Sequence, residues 1–163
     1  MVNKKVEELI EKFSFDKENE YFIEALCVAK YISKPQANMP NNMQVNEVDN
    51  PNRTLALIGD GVLKLVLAQE SSKIFDNVET INNFINSNES NDYLHSLNII
   101  QPSNGYCIED DKIIQNKKSD IISIVTMLEA IIGALYLDEY QKYGTFNVAY
   151  GFIKEYIIAN KIK

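Results

Sequence analysis

Hydrophobic residues recur at helical spacing along most of the chain. Apolar side chains three or four residues apart predict amphipathic helices over residues 2–13, 21–32 and 145–160. Residues 54–71 predict a strongly apolar helix, and residues 121–138 are apolar on nearly every side, which predicts a central helix in the core. Residues 78–99 predict two short helices with Asn and Ser near their ends. Because no segment has a convincing strand pattern, we predict an all-α fold.

Polar segments separate these helices. Residues 33–52 are rich in Pro and Asn and predict a long loop, a feature that is uncommon unless it is functional or disordered. Residues 101–118 predict a polar connection with turn residues, and Ser119 or Asp120 can cap the helix that begins at residue 121. The 163 residues show no internal repeat, so we predict a single domain over residues 1–163.

One apolar segment, residues 121–137, raises the question of a membrane span. It is shorter than the roughly 20 residues that a span requires. It also carries Glu129 near its centre, where an acidic side chain costs at least ~2.5 kcal/mol in a bilayer. We therefore predict a buried helix and no membrane partner.

Cysteine usage and the N-terminus bear on the compartment. Cys27 and Cys107 do not form a close pair of the kind that binds zinc or cycles between redox states, so we expect reduced thiols. The N-terminal residues contain no apolar signal segment. These features predict an intracellular protein, either cytoplasmic or nuclear.

Two acidic residues within the apolar helices are the candidate chemistry. Asp60 lies between two glycines in "LALIGDGVL", and Glu129 lies in the helix over residues 121–138. Two buried carboxylates that lie close together repel each other, so one takes up a proton or a cation binds. Mg²⁺ suits such a pair, because it is held by one or two carboxylates and water and leaves room for a phosphate. Alternatively, each acid simply pairs with a polar group, such as Lys64 one turn after Asp60.

The net charge of −7 bears on whether the chain is a passive nucleic-acid binder or an enzyme. It argues against a passive nucleic-acid binder, which usually has a basic surface. It remains compatible with an enzyme whose bound metal ions cancel local negative charge.

Two stretches of the chain resemble the ribonuclease III family. "NRTLALIGDGVL" (52–63) looks like the signature helix of that family, and "TMLEAIIGALYLD" (126–138) looks like its second motif, in the same order and at a fitting separation. The resemblance implies a helical endonuclease domain that cleaves double-stranded RNA to 5′-phosphate and 3′-hydroxyl products. It further implies Mg²⁺ or Mn²⁺ as cofactor, a homodimer, and a role in RNA processing or in making small RNAs for RNA interference.

The resemblance also implies roles for individual residues. Asp60 and Glu129 match motif acids and are expected to be catalytic metal ligands. Asn52 is expected to orient the signature helix, and Thr126 to hydrogen-bond a metal-held water. The weaker candidates for RNA contact are Arg53, Lys117 and Lys118.

The chain departs from the family at two acidic positions. Ala56 stands four residues before Asp60, and Thr126 stands three residues before Glu129, where the usual motifs have acids. The compact mini ribonuclease III branch, which lacks a separate RNA-binding domain, has Ala and Thr at the same positions, and this favours an active enzyme. With fewer acids, we expect loose metal binding, a need for millimolar Mg²⁺, or better activity with Mn²⁺. The alternatives are a catalytically inactive module that binds RNA or a ribonucleoprotein, and an unrelated helical interaction domain.

Overall fold

The computed structural model describes Glu11 and residues 20–34, 45–109, 112–116 and 120–159. The helices are α1 (Glu20–Ala25), α2 (Arg53–Ser71), α3 (Val78–Glu89), α4 (Asn91–Ser96), α5 (Ile121–Tyr143) and α6 (Asn147–Ile153), which continues as a π-helix over Lys154–Ile158. The strands are β1 (Cys27–Lys34), β2 (Val45–Asp49), β3 (Tyr106–Glu109) and β4 (Lys112–Gln115), and a 3-10 turn spans Pro102–Asn104. The predicted helix over residues 2–13 lies outside the described residues apart from Glu11.

The helical predictions are confirmed for the core of the protein. The two strongly apolar segments form α2 and α5, which make the most extensive contact between elements. The Asn77 side chain caps α3, accepting hydrogen bonds from the backbone N–H groups of Glu79 and Thr80. Asp120 caps α5 by accepting from the Ser123 N–H at 2.8 Å. α5 runs five residues beyond the predicted end and stops at Gly144, whose φ of 67° is in the left-handed region that favours glycine.

The expectation that the chain contains no strand was wrong. The strands form a four-stranded sheet in the order β2-β1-β3-β4, in which β1 and β3 are parallel and the other two pairs are antiparallel. The helix predicted over residues 21–32 ends at Ala25, and β1 begins at Cys27. Two other predictions change with it, since β2 lies inside the predicted loop over residues 33–52 and the β3–β4 hairpin lies inside the polar connection.

The hydrophobic core lies where α1, α4 and α6 surround the α2–α5 pair. Its largest fully buried side chains are Phe22, Leu26, Leu63, Leu67, Leu94, Met127, Leu128, Ile131, Ile132, Ile153, Ile157 and Ile158. Cys27 and Cys107 are both buried and present as thiols, as expected. α5 is long and apolar enough to meet the length and composition criteria for a membrane span. Many of its residues, however, are buried inside the protein, where they pack against other helices.

Glycines allow α2 and α5 to cross with their backbones in contact. A Cβ atom added at Gly59 would lie 1.8 Å from the carbonyl oxygen of Glu129, and one added at Gly133 would lie 2.1 Å from that of Leu55. These distances are far shorter than any van der Waals contact, so each helix contributes a glycine where the other helix passes. The crossing therefore fixes the backbone of Glu129 directly against the residue that precedes Asp60.

We predict that Gly59→Ala lowers the free energy of unfolding by about 3 kcal/mol, the upper end of the usual cost of overpacking. The reason is that the added methyl group meets backbone atoms that cannot turn aside. Urea unfolding followed by circular dichroism measures the change. Gly151→Ala is the matched control, because Gly151 is also helical but has open space around its Cβ position. The control should gain up to about 1 kcal/mol from helix propensity, and equal effects of the two substitutions would contradict the tight crossing.

Candidate active site

The helix crossing brings Asp60 and Glu129 together. Asp60 follows Gly59 on α2, and Glu129 lies on α5 at the point where Gly59 contacts its carbonyl group. The Asp60 carboxylate lies close enough to act on the Glu129 carboxyl group electrostatically. Two acids that are 69 positions apart in the sequence thus share one small region of the structure.

Burial and like charge raise the pKa of Glu129 from 4.5 to about 7. Partial burial is the larger cause, and the negative charge of Asp60 adds to it. The positive charge of Lys64 opposes the rise. Glu129 therefore exchanges its proton near neutral pH, and a bound cation would favour its ionised form.

Other largely buried acids of the protein have the opposite character. The pKa of Glu70 is lowered to about 2, first by Lys73 and then by the Tyr150 hydroxyl, both of which donate hydrogen bonds to it. Burial raises the pKa of Glu139, but hydrogen bonds from Thr145 and from backbone N–H groups lower it by more. These two carboxylates are satisfied structural anchors for α6, whereas Glu129 is held near other acids.

Asp60 is paired with a lysine one turn later on the same helix. The Lys64 ammonium group donates to Asp60 Oδ2 at 2.8 Å, and the two side chains are 47% and 31% exposed. This pair is the alternative that the sequence left open, and the structure contains it. Because both side chains reach solvent, the pair contributes little stability and is readily opened.

Glu89 is a third acid at the site, and sequence reasoning missed it. It is the last residue of α3, and its Oε2 lies 3.8 Å from Lys64 Nζ. This Oε2 atom is buried and accepts no hydrogen bond. The charge of Glu89 also helps to raise the pKa of Glu129. No spacing rule could find it, since only the packing of α3 against α2 brings it near Asp60.

The supporting candidates are placed as follows. Asn52 is buried, and its Nδ2 donates to the carbonyl oxygen of Ala25 at 3.3 Å, so it ties the start of α2 to the end of α1. Thr126 is half-buried one turn before Glu129, and Ala56 is buried one turn before Asp60. Arg53 is exposed at the first residue of α2.

The remaining candidates for RNA contact, Lys117 and Lys118, lie outside the described residues.

Three carboxylates are the candidate oxygen donors for a hard divalent cation. The oxygen atoms available are those of Asp60, Glu129 and Glu89, and the unsatisfied Glu89 Oε2 shows that the site has acceptor capacity to spare. Within the described ranges, no group of three His, Cys, Asp or Glu side chains is arranged to hold one ion. One or two carboxylates with several waters are the usual protein ligands of an ion such as Mg²⁺, so Asp60 and Glu129 are the residues that could hold one.

We predict that Glu129→Gln removes a pH-dependent destabilisation from the metal-free protein. The unfolded chain ionises this group near 4.5 and the folded protein near 7, so the folded state binds more protons between these values. Its contribution to the free energy of unfolding therefore falls as pH rises through this window. Thermal unfolding in EDTA should show the wild type losing stability relative to the variant from about pH 5 to about pH 8. A difference that stays constant across this range would contradict the raised pKa.

The fold is similar to that of a known nuclease domain. The nuclease domain of ribonuclease III from Campylobacter jejuni, solved in a study of structural flexibility in a region involved in dimer formation, matches with a TM-score of 0.60. The match covers 96% of this chain and 98% of that chain at 20% sequence identity. No protein-family model and no curated protein sequence matches the chain. The structural match shows that the fold is ribonuclease III-like, and the structure is mainly helical, which confirms the predicted fold class apart from the four-stranded sheet that the sequence did not predict.

Proposed function

We propose that the chain is a metal-dependent endoribonuclease of the ribonuclease III type that cleaves double-stranded RNA. The observation that carries the proposal is the meeting of Asp60 and Glu129 at the α2–α5 crossing, within a ribonuclease III-like fold. The products would carry 5′-phosphate and 3′-hydroxyl ends. The reaction would serve RNA processing or the generation of small RNAs.

The carboxylates of Asp60 and Glu129 would hold Mg²⁺ or Mn²⁺. When bound, the ion would activate a water and stabilise the negative charge that builds on the phosphate. Glu129 would give up its proton near neutral pH. Asp60 would release the Lys64 ammonium group and bind the metal ion instead. Thr126 would orient water from the neighbouring turn of α5, and Asn52 would hold the start of α2 in position.

RNA contact would be weak and salt-sensitive. Double-stranded RNA is recognised mainly through its shape, its phosphates and its 2′-hydroxyl groups. Arg53 is exposed at the start of α2, and we propose Lys117 and Lys118 as further phosphate contacts. With a net charge of −7, the chain has little overall attraction for phosphate, so binding should be weak, and added salt should weaken it further by screening the phosphate contacts that do form.

We propose a homodimer that pairs through the outward face of α2. Leu57 is 74% exposed and Leu65 is 47% exposed, and Gly61 lies between them at the same helical spacing. Two exposed leucines with a glycine between them, beside the candidate site, would give a second copy of the chain an apolar surface against which to pack. A dimer through this face would place two acidic sites near each other, one for each RNA strand.

The nuclease proposal is tested with long double-stranded RNA in Mg²⁺ or Mn²⁺. We expect the wild type to cleave it, and Asp60→Asn and Glu129→Gln to lose at least about a hundredfold in rate, as expected for loss of a charged group that acts in the transition state. Asp138→Asn is the matched control, because Asp138 is also on α5 but pairs with Lys142 at 2.8 Å. A wild type that binds the RNA but leaves it intact in both metals would show instead a catalytically inactive binding module.

The dimer proposal is tested by sedimentation of Leu57→Glu. We expect the wild type to sediment as a dimer and the variant as a monomer, because a charge would be buried in the interface. Val78→Glu is the control, since Val78 is 72% exposed but lies on α3. A monomeric wild type, or a variant that still dimerises, would refute pairing through this face.

A further inference from the structure

Lys64 is a cation built into the acidic site. Its ammonium group donates to Asp60 Oδ2 at 2.8 Å and lies 3.8 Å from Glu89 Oε2, so it stands between carboxylates from α2 and α3. The negative charges of Asp60, Glu89 and Glu129 all act on it. Lys64 therefore faces every acid of the site.

The ammonium group does not satisfy all of these acids. Glu89 Oε2 is buried and accepts no hydrogen bond, even though the Lys64 ammonium group lies 3.8 Å from it. With all three carboxylates ionised, one ammonium group leaves a net charge of minus two. A single divalent cation balances that charge, whereas two such ions would leave the site positively charged.

We propose that Lys64 takes the place of a second metal ion and limits the RNA-free site to one divalent cation per chain. Lys64 is thus a positioning residue that acts through the charge of the site and through its bond to Asp60. Glu89 acts in the same way from the other side, because no three acids among the described residues are placed to ligate one ion. The inference rests on the metal-binding part of the proposed function.

Titration calorimetry with Mn²⁺ alone, without RNA, tests the proposal. We expect the wild type to bind one ion per chain. Lys64→Gln should bind the first ion about fivefold more tightly, since it removes a competing ion pair of the size found for exposed pairs, and it should bind a second ion weakly because one ion leaves the three carboxylates with a negative charge. Lys64→Arg keeps the charge and should match the wild type.

A double substitution separates charge from direct ligation. Glu89→Gln should weaken Mn²⁺ binding by about fivefold, and adding Lys64→Gln to it should restore affinity to within about twofold of the wild type. Circular dichroism would confirm that each variant is folded. Both side chains reach solvent, so neither substitution leaves a buried cavity.

Three outcomes would overturn the proposal: two ions bound per wild-type chain, no ion bound, or an unchanged affinity in Lys64→Gln. RNA cleavage is measured in a separate assay. Cleavage together with an unchanged Lys64→Gln affinity would refute the role of Lys64 and leave the nuclease intact. The expected calorimetry without RNA cleavage would refute the nuclease and leave the role of Lys64 standing.

Discussion

The close crossing of α2 and α5 is the constraint on which the site depends. Gly59 and Gly133 let two backbones touch, and the helices on both sides are apolar enough to be buried together. Close approach of this kind removes water from the groups beside it. The Glu129 carboxyl group loses part of its hydration by burial, and the helix crossing places Asp60 near it. Packing and electrostatics at the site therefore have one cause.

The acids of the protein divide according to their partners. Glu70 and Glu139 receive hydrogen bonds from lysine, tyrosine, threonine and backbone groups, and they join the ends of α2 and α5 to α6. At the crossing, by contrast, the only nearby cation among the described residues is Lys64, and an oxygen of Glu89 is left without a donor. Elsewhere the protein supplies its buried acids with hydrogen-bond donors, whereas the negative charge of the acids at the crossing is only partly compensated. This difference is what the proposed metal site requires and what a structural ion pair lacks.

Much of the helical core could be predicted from the sequence, because apolar periodicity reports burial directly. The segments that form α2 and α5 are long, and tertiary contacts did not change their predicted helical conformation. β1 was missed because "CVAKYISK" is short and follows a helix whose apolar spacing continues through it. Its β-branched and aromatic residues favour a strand, but the parallel partner β3 lies about 80 residues away in the chain. Pairings of that kind have no local signal.

The candidate site was predictable only in part, for a related reason. Asp60 and Glu129 stand out because they interrupt apolar helices, whereas Glu89 ends a polar helix where an acid is ordinary. Lys64 was visible only as a helical neighbour of Asp60, and its relation to Glu89 required the packing of α3 against α2. Spacing within one helix can be read from a sequence, but contacts among three helices cannot.

The small residues beside the two acids fit this charge balance. Ala56 is buried one turn before Asp60, so an acid there would lie deeper than Asp60 does and would need its own cation. An acid at position 126 would likewise add negative charge one turn before Glu129, whose pKa is already raised by its neighbours. Each such acid would favour a further metal ion, whereas Ala56 and Thr126 leave a charge that Lys64 and one ion can balance. The reduced acid set and the lysine therefore both fit the one-ion site that we propose.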